Sequence, residues 1–138
     1  MKSQFDNIAK IPCDSMLSFF RLWLVFLKPF HNMKPKEIEV ASYMLYTRMK
    51  MMEKVIDKDL IDDLVFRHDS KKQIMKWCGI TQVHLNTIIT RLREAGFIIE
   101  TRINPRYVPN YDDSGTFRLM LMFDIDKGKE NTGNVEKD

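Results

Sequence analysis

Cysteine is scarce in this chain: Cys13 and Cys78 are the only two, too few for a disulfide framework, so a reducing compartment is the natural setting. No apolar run reaches the roughly 18 residues of a membrane span; the nearest, SMLSFFRLWLVFLK, is shorter and interrupted by Arg21, so no membrane role is expected. The opening MKSQFDNIAK lacks an apolar core before a small-residue cleavage site, so no signal peptide is expected and the expected location is cytoplasmic. A glycine-rich phosphate loop, a nucleophile motif and the Cys/His spacing of a zinc site are all missing. Asp57, Asp59, Asp62 and Asp63 form an acidic cluster without the glycine and terminal glutamate of a calcium loop. These absences argue against an enzyme and against any cofactor or metal.

What remains is one domain's worth of core and an uneven charge. The 138 residues are 44% hydrophobic and 30% charged, enough for a single core but not two. A formal net charge of +3 is modest, so its distribution matters more than its total. From Lys71 to Arg106 seven Lys/Arg stand against two acids, a local charge of +5, while Met52 to Asp69 holds three bases against six acids.

The basic stretch contains KKQIMKWCGITQVHLNTIITRLREAGF, which reads as a helix, a tight turn and a second helix. Ile74 and Cys78 fall at helical spacing, Gly79 tolerates positive φ, Ile80 returns to the core and Thr81 caps the next helix. Leu85, Ile88, Ile89 and Leu92 then mark a buried face. The opposite face carries Gln82, Asn86, Thr87, Thr90, Arg91 and Arg93, groups able to reach base edges and phosphates.

Taken in order, residues 1–13 read as an arm, 14–126 as the domain and 127–138 as a disordered tail. A helix is predicted from Asp14 or Ser15 to about Lys28, ended by Pro29. It is apolar around most of its circumference: either it packs inside a monomer core, or Phe19, Phe20, Trp23 and Phe26 build a dimer interface, the preferred reading. A second helix is predicted over Pro35–Met51, with Ile38, Ala41, Leu45 and Met49 inward, Val40 and Met44 beside them, and Glu37 at its positive end. Its methionines read as core filling. A short amphipathic helix follows, burying Val55, Ile56, Leu60, Ile61, Leu64 and Val65. Beyond Gly96 the period changes: FIIETRIN and TFRLMLMFDI are predicted to pair as an antiparallel hairpin with NPRYVPNYDDSG at its tip.

The predicted class is therefore mainly α with a β-hairpin (α+β), and the order of elements resembles a winged helix-turn-helix preceded by an apolar N-terminal helix. The match GIT…L..II.RLREAGFI sets Gly79, Ile80, Thr81, Leu92, Gly96 and Ile98 at the places where MarR-type regulators carry their turn, recognition helix and first wing strand. It covers about Pro35 to Ile125 and departs from the pattern at Met75, where a small residue is usual. INPRYVPN is similar to the asparagine-proline step in the wing of some winged-helix plasmid replication initiators. The whole chain resembles small winged-helix proteins of phages and mobile elements of gut bacteria.

That resemblance implies double-stranded DNA as partner, bound for transcription regulation or replication initiation. It places Thr81, Gln82, Asn86, Thr87 and Thr90 toward bases or sugar-phosphate, and Arg91 and Arg93 toward phosphates. Lys71 and Lys72 would clamp the backbone from the preceding helix, Arg102 and Arg106 from the wing. Val83 and His84 have no settled role. The alternative is a winged-helix interaction module within a larger assembly, such as a phage particle or replication complex, where the same face meets protein.

Overall fold

Ser15 starts the first helix as predicted: its hydroxyl accepts the Ser18 N–H at 3.1 Å, and Ser18 in turn donates to Asp14 at 2.8 Å. In the computed structural model, which describes residues 8–55 and 57–128, this helix, α1, covers Met16–Phe26. Pro29 does not end the helical path. It occupies the first turn of a short second helix, α2 (Lys28–His31), where a missing N–H costs nothing, and Asn32 closes it at a φ of 54°.

His31 is buried at this corner. One ring nitrogen, Nε2, lies 2.6 Å from the Leu24 carbonyl, while Nδ1 accepts the Met33 N–H at 2.9 Å. That pairing requires the neutral ring protonated on Nε2. Burial, with a smaller contribution from Lys28, holds its pKa below the ordinary 6.5, against the opposing hydrogen bond to Leu24. An unfolded chain therefore takes up the proton more readily than the folded one, so the His31 contribution is present above about pH 6.5 and is lost as pH falls below it. The urea midpoint should drop between pH 7 and pH 5, and His31→Gln should flatten that part of the profile. An unchanged slope in the variant would exclude His31 as its source.

The long helix α3 (Pro35–Met52) is the centre of the fold, touching α1 and the three helices that follow it. Glu37 accepts the Lys34 N–H at 3.0 Å and so satisfies a free donor at the helix start. Ile38, Val40, Ala41, Met44 and Leu45 are buried as expected, with Met49 half-buried. Helix α4 (Lys58–Val65) begins at the Asp57 cap, which accepts the Asp59 N–H at 3.0 Å. Of its expected inward set Ile61 and Val65 are buried, Val55 and Leu64 are half-buried, and Ile56 lies outside the described residues. Leu60 points outward instead, at 48% exposure. Arg48 and Asp62, 3.4 Å apart and largely buried, join α3 to α4.

Helices α5 (His68–Cys78) and α6 (Gln82–Glu94) follow, joined through Gly79, Ile80 and Thr81. Helix α5 starts at His68, earlier than Lys71, so Lys71 and Lys72 sit in its second turn. After α6 the antiparallel pairing is local: β1 (Ile98–Ile99) pairs with β2 (Arg102–Ile103), Ile98 facing Ile103 and Ile99 facing Arg102.

The expected pairing of FIIETRIN with TFRLMLMFDI is thus corrected. Glu100, at a φ of 59°, turns the chain back at once, so β1 meets residues from its own half of the predicted hairpin. Asn104 then fixes the return, its N–H reaching the Phe97 carbonyl at 2.8 Å and its side-chain amide the Gly96 carbonyl at 2.8 Å. A 3-10 turn at Pro105–Tyr107 buries Tyr107 against Phe97 and His31. Phe117 lands on α1, its ring 5.2 Å from Phe19 and 5.1 Å from Trp23, and residues 119–125 are exposed with no strand partner among the described residues. Most of the predicted tail, and residues 1–7 of the arm, lie outside the described residues. Among the described residues no helix is long and apolar enough to cross a membrane.

Candidate nucleic-acid interface

Gly79 ends α5 in the left-handed conformation, at a φ of 64°, and the Thr81 hydroxyl accepts the His84 N–H at 3.2 Å to open α6. Leu85, Ile88, Ile89 and Leu92 are buried beneath it. Because a helix turns about 100° per residue, burying that face forces Val83, Thr87, Thr90 and Glu94 outermost. Gln82, Asn86 and Arg93 flank them on one side and His84 and Arg91 on the other. All nine are exposed.

The chemistry along this face is not uniform. Gln82 and Asn86 present amides with both donor and acceptor capacity. The Thr87 and Thr90 hydroxyls donate back to the carbonyls of Val83 and Asn86, each at 3.1 Å, so they face outward as acceptors with their methyl groups. Val83, 77% exposed, offers an apolar contact at the centre, of the kind a thymine methyl accepts.

The predicted cations divide into two groups. Lys72, exposed on α5, is joined by Lys76 one turn on, and both line a shallow concavity with Asp69, Gln73, Met75 and Ile80 beside the turn. Lys71 is half-buried. Arg93 donates to the Glu100 carbonyl at 3.4 Å, tying α6 to the hairpin while remaining exposed. Arg91 instead lies 3.7 Å from Glu37, the carboxylate that caps α3, so part of its charge is spent within the fold. Arg102 approaches Asp59 of α4 at 4.0 Å, and the Arg106 guanidinium lies over the Phe30 ring of α2 at 5.9 Å. Neither is drawn against α6.

Sequence reasoning passed over Lys76, although its spacing of four from Lys72 puts both on one helix face. It also passed over Lys36, which donates to the Cys78 carbonyl at 3.0 Å at the end of α5 while its charge is paired with Glu39 at 3.1 Å. Cys78 itself is buried, and burial, helped by Glu39, pushes its thiol up to about 11. At neutral pH it stays a protonated core side chain. Among the described residues no group of three or more His, Cys, Asp or Glu is placed to hold a metal ion.

Comparison with protein families, curated proteins and solved structures finds no match to this chain.

The predicted dimer surface is corrected in part. Phe20 is only 3% exposed, inside the core beside Leu24, and cannot meet a second chain. Phe19 and Trp23 are covered by Tyr111 and Phe117, and the Trp23 indole N–H donates to the Tyr107 carbonyl at 2.8 Å. Phe26 alone of the four stays substantially exposed, at 46%.

Proposed function

We propose that this chain binds double-stranded DNA as a winged-helix protein, with α6 in the major groove and the short β1–β2 hairpin as its wing. The supporting observation is the outward face of α6: exposed amides at Gln82 and Asn86, with Lys72 and Lys76 beside its N-terminal end and Arg93 on its flank. Phosphate contacts hold a helix in register and base contacts choose the sequence. Thr81, Thr87 and Thr90 supply hydrogen-bonding oxygens along the groove, and Arg91 contributes less than its charge implies because Glu37 competes for it. Arg102 and Arg106 reach phosphate only by leaving Asp59 and Phe30; at the exposed Arg102 pair that costs little. The resemblance to MarR-type regulators and to plasmid replication initiators implies transcription regulation or replication initiation as the process served.

Two substitutions separate the roles. Lys72→Ala should weaken binding on every duplex and lower the salt slope by about 0.9. Asn86→Ala should instead remove about 1–3 kcal/mol of preference at one base position. Fluorescence anisotropy on a matched and a mismatched duplex reads both; equal losses on both duplexes for Asn86→Ala would reject base reading.

A second reading, an interaction module in a larger assembly, is favoured by Val83 and Glu94 on the outermost row of α6. The Glu94 carboxylate there is repelled by a phosphate backbone, and Val83 suits an apolar protein pocket as well as a thymine methyl.

A further inference from the structure

Leu119, Met120, Leu121, Met122 and Phe123 are 44, 80, 61, 83 and 85% exposed, the longest run of exposed large apolar side chains among the described residues, and Ile125, beyond Asp124, is 68% exposed. Such a run on a soluble chain marks a surface that something covers. Its composition is that of a strand: Phe117, Leu119, Leu121, Phe123 and Ile125 alternate with Arg118, Met120, Met122 and Asp124, so an extended backbone gives one wholly apolar face. The core claims only Phe117, which anchors the segment on Phe19 and Trp23. The remainder has strand chemistry and no strand partner, and unpaired strands of this kind recruit another chain.

The segment is complementary to itself. In an antiparallel pair about a two-fold axis, centring on Leu121 sets Met120 opposite Met122, Leu119 opposite Phe123, Phe117 opposite Ile125 and Arg118 opposite Asp124, each twice by symmetry. Every apolar residue then faces an apolar one and each charge faces its opposite. Moving the centre to Met120 sets Arg118 against Met122, and moving it to Met122 sets Met120 against Asp124. An odd offset breaks the two-fold relation of the faces. Arg118 is 83% exposed and lies 3.9 Å from Asp112, a pair easily exchanged.

We propose that residues 117–125 pair antiparallel with the same segment of a second copy of this chain, in the register that sets Leu121 opposite Leu121, and that this ribbon is the dimer interface. The apolar faces of the two strands form one surface, anchored at each end by Phe117 on its own α1. The interface does not depend on DNA binding: a dimer without DNA affinity overturns the proposed function alone, and a monomer that binds DNA overturns the dimer alone.

Sedimentation equilibrium of the full chain over a wide concentration range tests it. The wild type should sediment as a dimer. Leu121→Asp, which opposes two carboxylates at the two-fold axis, should raise the dissociation constant by about 100-fold or more. Arg118→Glu should raise it about tenfold, and adding Asp124→Arg should restore it to within about threefold. All these positions are exposed, and circular dichroism checks that the helices persist. A monomeric wild type, a dimer indifferent to Leu121→Asp, or a charge-swapped double variant no tighter than Arg118→Glu would each overturn the proposal.

Discussion

Phe97→Ala should lower the unfolding free energy by about 3–5 kcal/mol, the cost of a fully buried aromatic truncated in a packed interior. Phe97 has no exposed surface and sits where α6 ends and the hairpin begins. Its N–H reaches the Leu92 carbonyl at 2.9 Å and that of Gly96 the Arg93 carbonyl at 3.1 Å, with Gly96 at a φ of 83°, so the residue after the glycine is drawn back under the helix. Its ring meets Tyr107, 6.0 Å between centroids, and the Tyr107 carbonyl is tied to Trp23 on α1. Removing the ring opens a cavity between the helices and the chain that follows β2. Urea unfolding followed by tryptophan fluorescence measures the loss, and a change below about 1 kcal/mol would contradict this placement.

Affinity for duplex DNA should fall about 150-fold between 50 and 200 mM salt. Four phosphate contacts, from Lys72, Lys76, Arg93 and Arg102, give a slope of about −3.6 in log affinity against log salt. Arg91 is left out because Glu37 lies 3.7 Å away, and Arg106 because its guanidinium is stacked on Phe30. A slope of about −5.4 would mean that both leave those partners on binding. A slope near zero would contradict phosphate contact altogether and favour the interaction-module reading.

The α5–α6 unit was legible because each feature there is local. Gly79 needs only its own φ, Thr81 only the His84 N–H, and the buried row only a period of 3.6. Long-range choices were not legible. The alternation of Phe117 to Phe123 has the period of a strand, but these residues form none among the described residues, because Glu100 turns the chain at a positive φ that few glutamates adopt and gives β1 a nearer partner. Helix α1 is apolar nearly all round, and its pattern could not reveal that Tyr111 and Phe117 cover Phe19 and Trp23. Likewise the charge on Arg91 reads as free in sequence, since the carboxylate that meets it comes from another helix. The exposed face of α6 was read correctly in its composition; its Thr hydroxyls, turned back onto the helix, change what that face can donate.

Selection of bound duplexes from a random pool, run in parallel with the wild type and Asn86→Ala, tests most directly whether α6 reads base edges. The wild type should enrich a short motif containing adenine at a fixed position, and Asn86→Ala should lose preference at that position while keeping the rest. Recovery of an unbiased pool by the wild type, or of the same motif by both proteins, would contradict the assignment of α6 as the reading helix.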